Sequence, residues 1–179
     1  MINIWEWLSD KRAQHSLRVA ETAVFLAKVH HCREDLAFEA GLYHDIAKEI
    51  NQDKLGEIGL QQNRLCKSLH QHYFPVWHAF IAPTILREKY GIKHKEVLSA
   101  IRWHTTGRAK MTALEKIIFL ADYLEPGRTH DQGDALLKVA MKDLDKAVAI
   151  VIRETVARVE EKGSDVHPFS KACLAYYKR

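Results

Sequence analysis

Thr112-Ala-Leu-Glu115-Lys-Ile-Ile-Phe-Leu-Ala-Asp122-Tyr-Leu-Glu125-Pro126 holds a helix start, an apolar body and a helix stop in one run. Thr112 and Glu115 have the spacing of a capping box, in which each side chain accepts from the other residue's backbone N–H. Pro126 cannot continue a helix, so the segment ends before it. Ile117 to Ala121 are all apolar, the pattern of a helix buried on most sides. Asp122 alone interrupts them. Ile118 at i−4 and Glu125 at i+3 flank it, which aims its carboxylate near the core face. Aspartate is seldom buried without a partner, so Asp122 either faces solvent across a thick amphipathic helix or meets a cation inside.

The helical period extends in both directions. Ser9 or Asp10 caps a helix to about His30, with His15, Val19, Ala23 and Leu26 on one stripe. Glu34 and Asp35 are first-turn acids of a second helix carrying Leu36, Ala40, Tyr43 and Ala47. Asn51 starts a short amphipathic segment, and a looser stretch runs from Gly59 to Asn63. Pro75 suits the first turn of a helix ending at Gly91, which Pro83 must kink or split. His94 to His104 reads as a short helix, and Asp134 to Gly163 as one or two long ones with Asp143 as an internal cap. The apolar run Ala147 to Ile152 belongs to a buried helix, given its helical surroundings. With no repeat, linker or low-complexity tract, the 179 residues are expected to form one all-α domain of roughly seven to nine helices.

Composition narrows the function classes. A hydrophobic content of 47% excludes disorder as the main state, and only 8 Gly and 4 Pro disfavour a turn-rich β architecture. Lys+Arg 27 against Asp+Glu 23 gives +4 with no run of like charge, too mild for a nucleic-acid arm but compatible with a small anionic ligand. A signal peptide and an apolar stretch approaching the ~20 residues of a membrane span are both missing. A cytoplasmic protein without nucleic-acid or membrane partners is therefore expected. Cys32, Cys66 and Cys173 form no CxxC pair and read as reduced thiols. The 11 histidines raise the question of metals or phosphates.

Gly41-Leu-Tyr-His44-Asp45-Ile-Ala-Lys48 sets a histidine beside an aspartate in an apolar helical run. A buried ionised carboxylate is costly unless paired or metal-bound, so Asp45 is either solvated at a helix end or shares a cation with His44. His15 lies on the inward stripe, His78 follows Trp77, and His104 closes Ala100-Ile-Arg-Trp. Together they give one or two candidate ligands from each of five helical segments, which is how bundles build metal sites in their cores. Nitrogen and carboxylate donors suit iron, manganese, cobalt or zinc rather than an all-oxygen cage. Arg102 to Leu114 carries three basic residues and no acid, with hydroxyls at Thr105 and Thr106 and a permissive Gly107. It reads as a phosphate-gripping loop with Arg108, and Lys48 and Arg128 are further phosphate candidates. His30, His31, His70, His72, His94 and His130 read as surface residues, and His167 is a marginal addition from the tail.

These motifs resemble the HD-domain metal-dependent phosphohydrolase superfamily, through His15-Ser-Leu-Arg-Val, His44-Asp45 and the final Asp122. More narrowly, His44-Asp-Ile-Ala-Lys48, Trp77-His78-Ala79, Ala100-Ile-Arg-Trp-His-Thr-Thr-Gly-Arg108 and Met111 through Arg128 are similar to the bacterial YqeK-type symmetrical diadenosine tetraphosphate hydrolases. The resemblance runs from about His15 to Val156. It implies a single HD-like helical bundle over 1–179, with a catalytic core at about 15–160, a helical tail at 163–179 and the metal site in the core. Arg18 stands where that pattern has a small residue, and Ala109-Lys110 where it has a Pro-Gly-like pair.

The resemblance further implies that His15, His44, Asp45 and Asp122 hold one metal ion, iron first, with manganese or cobalt as alternatives. Asp45 would bridge to a second ion completed by His78 and His104, unless those two contact phosphates directly. Asp45, His78, His104 and Lys48 are the implied catalytic group. Lys48, His78, His104, Thr105, Arg108 and Arg128 would contact the nucleotide, and the tail residues Asp165, Val166, His167, Pro168, Phe169 and Ser170 would fold towards it. The implied reaction is symmetrical hydrolysis of diadenosine tetraphosphate and related dinucleoside polyphosphates to two nucleoside diphosphates by metal-activated water. A homodimer is compatible with this set of partners. Alternatives are another HD-type nucleotidase or phosphodiesterase, or a non-catalytic nucleotide-binding HD protein.

Overall fold

The capping box at Thr112 forms as its spacing requires. The Thr112 hydroxyl accepts from the Glu115 N–H at 3.3 Å, and the Glu115 carboxylate accepts from the Thr112 N–H at 2.9 Å. The protein is described by a computed structural model that covers residues 2–50, 55–56, 74–128 and 133–178. The Asn51 segment, the Gly59–Asn63 stretch, Cys66, His70, His72 and His130 lie outside the described residues.

After a 3-10 turn at Ile4–Glu6 come α1 (Asp10–Val29), α2 (Glu34–Tyr43), α3 (Phe74–Tyr90) and α4 (Lys95–Trp103). Then follow α5 (Ala113–Leu124), α6 (Gly133–Ala140), α7 (Leu144–Glu161) and α8 (Pro168–Tyr177). No strand occurs among the described residues. Asp143 caps α7 by accepting from the Lys146 N–H at 3.0 Å, so the 134–163 region divides into two helices at that residue. Pro83 does not split α3, which runs through it from Phe74 to Tyr90.

α5 is the axial element. It packs against α1, α2, α4, α6 and α7, and its Ile117, Ile118, Leu120 and Ala121 are fully buried. That apolar surface explains why α5 lies inside: side chains of this size each gain roughly 1.5–3 kcal/mol when removed from water. α8 folds back on α7, with His167 as its N-cap and Pro168 at its first position.

α1 and α2 approach closely along a seam of Ala20, Ala23, Ala37, Ala40 and Gly41, all buried. A Cβ on Gly41 would sit 2.7 Å from the Ala20 Cα and 3.0 Å from its nitrogen, both backbone atoms that cannot rotate away. The seam matters to function because His44 and Asp45 follow Gly41 within one turn. Gly41→Ala is expected to destabilise the fold by about 1–3 kcal/mol through overpacking. Urea unfolding should show a lower midpoint at unchanged slope, and an unchanged midpoint would refute the close-packing account.

Candidate metal centre

Two helix ends aim histidines inward. Regular α2 stops at Tyr43, and the Ile46 and Lys48 N–H groups reach back only three residues, to Tyr43 and Asp45. The second helix is therefore shorter than the apolar pattern through Ala47 suggests. At this end the His44 Nδ1–H donates to the Gly41 carbonyl at 2.7 Å. His104, one residue beyond α4, does the same with the Ile101 carbonyl at 2.7 Å. Carbonyls of a last helical turn lack intrahelical donors, so each ring satisfies one and is fixed with its Nε2 facing the interior. His15 lies mid-α1, its Nδ1–H donating to the buried Glu125 carboxylate at 3.0 Å. His78 lies on α3 and Asp122 on α5.

These side chains converge on Asp45, which is 3% exposed. Its Oδ2 lies 3.7 Å from His44 Nε2 and 3.9 Å from His15 Nε2. Its Oδ1 lies 3.0 Å from His78 Nε2 and 3.5 Å from His104 Nε2. Asp122 Oδ1 completes the first side, 3.1 Å from His15 Nε2 and 3.7 Å from His44 Nε2. One carboxylate thus turns a separate oxygen to each of two donor groups.

Proton placement shows what the centre is short of. Burial takes the His44 pKa down to about 4 and the His78 pKa to about 3, so both rings are neutral near pH 7. Burial opposes ionisation of Asp45, but His44, His104 and His78 outweigh it and hold the carboxyl well below its ordinary range. Burial also opposes ionisation of Asp122, outweighed by His15, His44 and Arg128. Burial draws the His15 pKa down, yet Asp122 and Glu125 outweigh it and the net shift is upward. Two ionised carboxylates therefore face the neutral His44 and His78 rings in a buried cluster; among the described residues the buried Nε2 of His44 has no hydrogen-bond partner, while that of His15 lies 3.1 Å from Asp122 Oδ1. Such a donor set matches a divalent cation. The ligand atoms of His15, His44 and Asp122, and those of His44, Asp45 and His104, each lie within 4.8 Å of one another.

Residues 12–127 match the HD domain family. The chain belongs to that family. A symmetrical bis(5'-nucleosyl)-tetraphosphatase of Staphylococcus aureus is 38% identical over 96% of this chain and 89% of the relative. One of Bacillus subtilis is 32% identical over 90% and 86%. Among solved structures, a protein of Clostridium acetobutylicum described as an HD superfamily hydrolase involved in NAD metabolism is similar at TM-score 0.86 and 35% identity, over 98% of this chain and 93% of that one.

Among the described residues, three cations stand around the HD cluster. Lys48 Nζ lies 3.2 Å from His78 Nε2 and 3.9 Å from Asp45 Oδ1, with its pKa lowered by burial. Arg128 holds Asp122 at 2.6 Å. Arg12, which sequence reasoning passed over, donates to Asp45 Oδ2 at 3.1 Å with its side chain 38% exposed. Thr105 follows His104; the residue is half-buried, and its buried hydroxyl has no partner among the described residues. Arg108 instead pairs with the buried Glu115 at 2.9 Å and bonds the Ala109 carbonyl. Lys110, in place of the Gly-like residue, takes a φ of 53°, the left-handed region that glycine favours.

The tail reaches the neighbourhood of the cluster. His167 stacks on Phe80 (5.5 Å) and Phe169 (5.3 Å), and Phe169 meets Trp103 edge-on at 4.8 Å. Arg102 covers the Phe80 and Trp103 rings. Val166 and Ser170 are buried, whereas Asp165, Pro168 and Phe169 are exposed. His31 and His94 are exposed as expected, but His30 is half-buried, its Nε2 2.7 Å from the Ala140 carbonyl. Asp122→Ala is expected to lower transition-metal content after anaerobic purification by more than about tenfold. His94→Ala, which removes an exposed ring 3.1 Å from Glu39, is expected to leave it unchanged. Elemental analysis checks both, and equal metal in wild type and Asp122→Ala would exclude Asp122 as a ligand.

Proposed function

We propose that this HD hydrolase cleaves diadenosine tetraphosphate and related dinucleoside polyphosphates symmetrically, releasing two nucleoside diphosphates. The observation that carries the reading is Asp45, whose two oxygens serve two histidine sets inside a rim of Arg12, Lys48 and Arg128. The names of the bacterial relatives agree with it. His15, His44, Asp45 and Asp122 would hold one ion, with His78 and His104 completing a second site or contacting phosphate. Iron is the preferred metal, and manganese or cobalt satisfy the same donors. A bound ion there supplies Lewis acidity and a water of lowered pKa.

The chain's own groups account for the rest of the chemistry. Lys48 and Arg128 neutralise phosphoryl oxygens as charge develops, which lowers the barrier only if they are held in place beforehand. Their pairing with Asp45 and Asp122 fixes them at the rim. Thr105 offers a hydroxyl beside His104, and Arg108, engaged by Glu115, contributes through the loop's shape rather than as a free clamp. Water oxygen bonds to an inner phosphorus, the central bridging P–O bond breaks, and one nucleoside diphosphate leaves. Asp165 to Ser170 would lie along the bound nucleotide, with Phe169 and Trp103 offering ring faces to a base. Ring faces grip any base, so this slot favours adenosine-ended substrates only weakly over other nucleosides.

Chromatography of the products of diadenosine tetraphosphate tests the reaction. ADP alone is expected, while ATP plus AMP or no turnover would refute it. Phe169→Ala is expected to raise KM by an amount equivalent to roughly 1–3 kcal/mol of lost stacking, with kcat changed less. Steady-state kinetics on the metal-loaded protein reads this out, and an unchanged KM would remove Phe169 from the site.

A further inference from the structure

Among the described residues, Glu125 is the one buried carboxylate beside the HD cluster that the reaction does not use. It follows Asp122 by three residues, so both leave the same end of α5 on one face. It is 2% exposed, and its oxygens are fully engaged. Oε1 accepts from His15 Nδ1–H at 3.0 Å. Oε2 accepts from Arg18 Nε at 2.6 Å and from the Gly127 N–H at 2.6 Å.

Each contact constrains the next. With Arg18 and Gly127 donating to the same carboxylate, Glu125 acts as the acceptor for the His15 Nδ1–H, and this turns Nε2 towards Asp122 Oδ1, 3.1 Å away. The Arg18 side chain is 35% exposed and reaches Glu125 from the surface. It can do so because residue 127 has no side chain: a Cβ there would lie 2.5 Å from Arg18 Nη2 and 2.7 Å from Nε. The larger residue at position 18 and the glycine at 127 thus fit each other.

We infer that Glu125 is a positioning residue that holds His15 in its metal-binding tautomer and orientation, and that Arg18, seated over Gly127, holds Glu125 in turn. Partners of this kind typically change metal affinity by about 10–100-fold when removed. The inference rests on the reading of His15 as a metal ligand and extends it to two residues that touch neither metal nor substrate.

Titration of the full-length metal-free protein with cobalt(II), following the visible absorption of the bound ion, separates the two claims. Glu125→Gln keeps the volume but turns an amide N–H towards one of three donors. It is expected to weaken cobalt binding by about 10–100-fold and to alter the absorption band. Arg18→Ala removes one half-buried donor and leaves Glu125 its His15 and Gly127 donors, so the expected loss is smaller, about fivefold. Gly127→Ala, by evicting the Arg18 side chain, should reproduce that loss, and the double variant should lose no more than either alone. Thermal unfolding of each metal-free variant shows that the fold is kept. If Glu125→Gln, Arg18→Ala and Gly127→Ala all bind cobalt as wild type does while His15→Ala does not, the positioning role is wrong and the ligand reading stands. If His15→Ala also binds as wild type, both fall.

Discussion

An ionised carboxylate in a dry interior imposes its needs on everything near it, and Asp45 is such a group. Removing it from water costs several kcal/mol even after relaxation. The surrounding positive charge is partial and peripheral: Arg12 and Lys48 approach from the rim, while His44 and His78 are kept neutral by burial. The cluster therefore places ionised oxygens and neutral imidazole lone pairs side by side in its interior. A cation at the centre resolves both at once, which is why the fold devotes four buried histidines and two aspartates to one volume.

Backbone geometry makes that concentration affordable. His44 and His104 close helices by donating to their own last-turn carbonyls. The same bond that satisfies the backbone also orients the ring and selects its tautomer. No additional buried acceptor is needed at these two positions. His15 sits mid-helix, where the carbonyls are already paired within α1, and it draws on a carboxylate from α5 instead. The different supports of these three histidines follow from where each stands along its helix.

Local signals in the chain revealed the parts of this structure that are set locally. The Thr112–Glu115 capping box, the Asp143 cap and the inward stripe of His15 depend on neighbours within four residues, and each appears as read. Pro83 was legible as a breaker, yet packing keeps α3 continuous through it. Ala47 read as part of the second helix, but the His44 ring and the three-residue backbone bonds end that helix at Tyr43. Arg12 and Glu125 were invisible because their partners lie 33 and 110 residues away. Arg108 looked free for the opposite reason: nothing in Arg102 to Leu114 is acidic, and its partner Glu115 is the next residue along. His30 owes its burial to α6, again 110 residues distant.

The stacking of Phe169 and His167 on Phe80 gives the molecule an order of assembly. The candidate ligands His15, His44, Asp45, His78, His104 and Asp122 all precede the aromatic tail segment in the chain. During synthesis the metal pocket therefore gains its full set of donors before the base-stacking wall exists. A nascent chain at that stage carries the candidate donors while still lacking the stacked rings of Phe169 and His167.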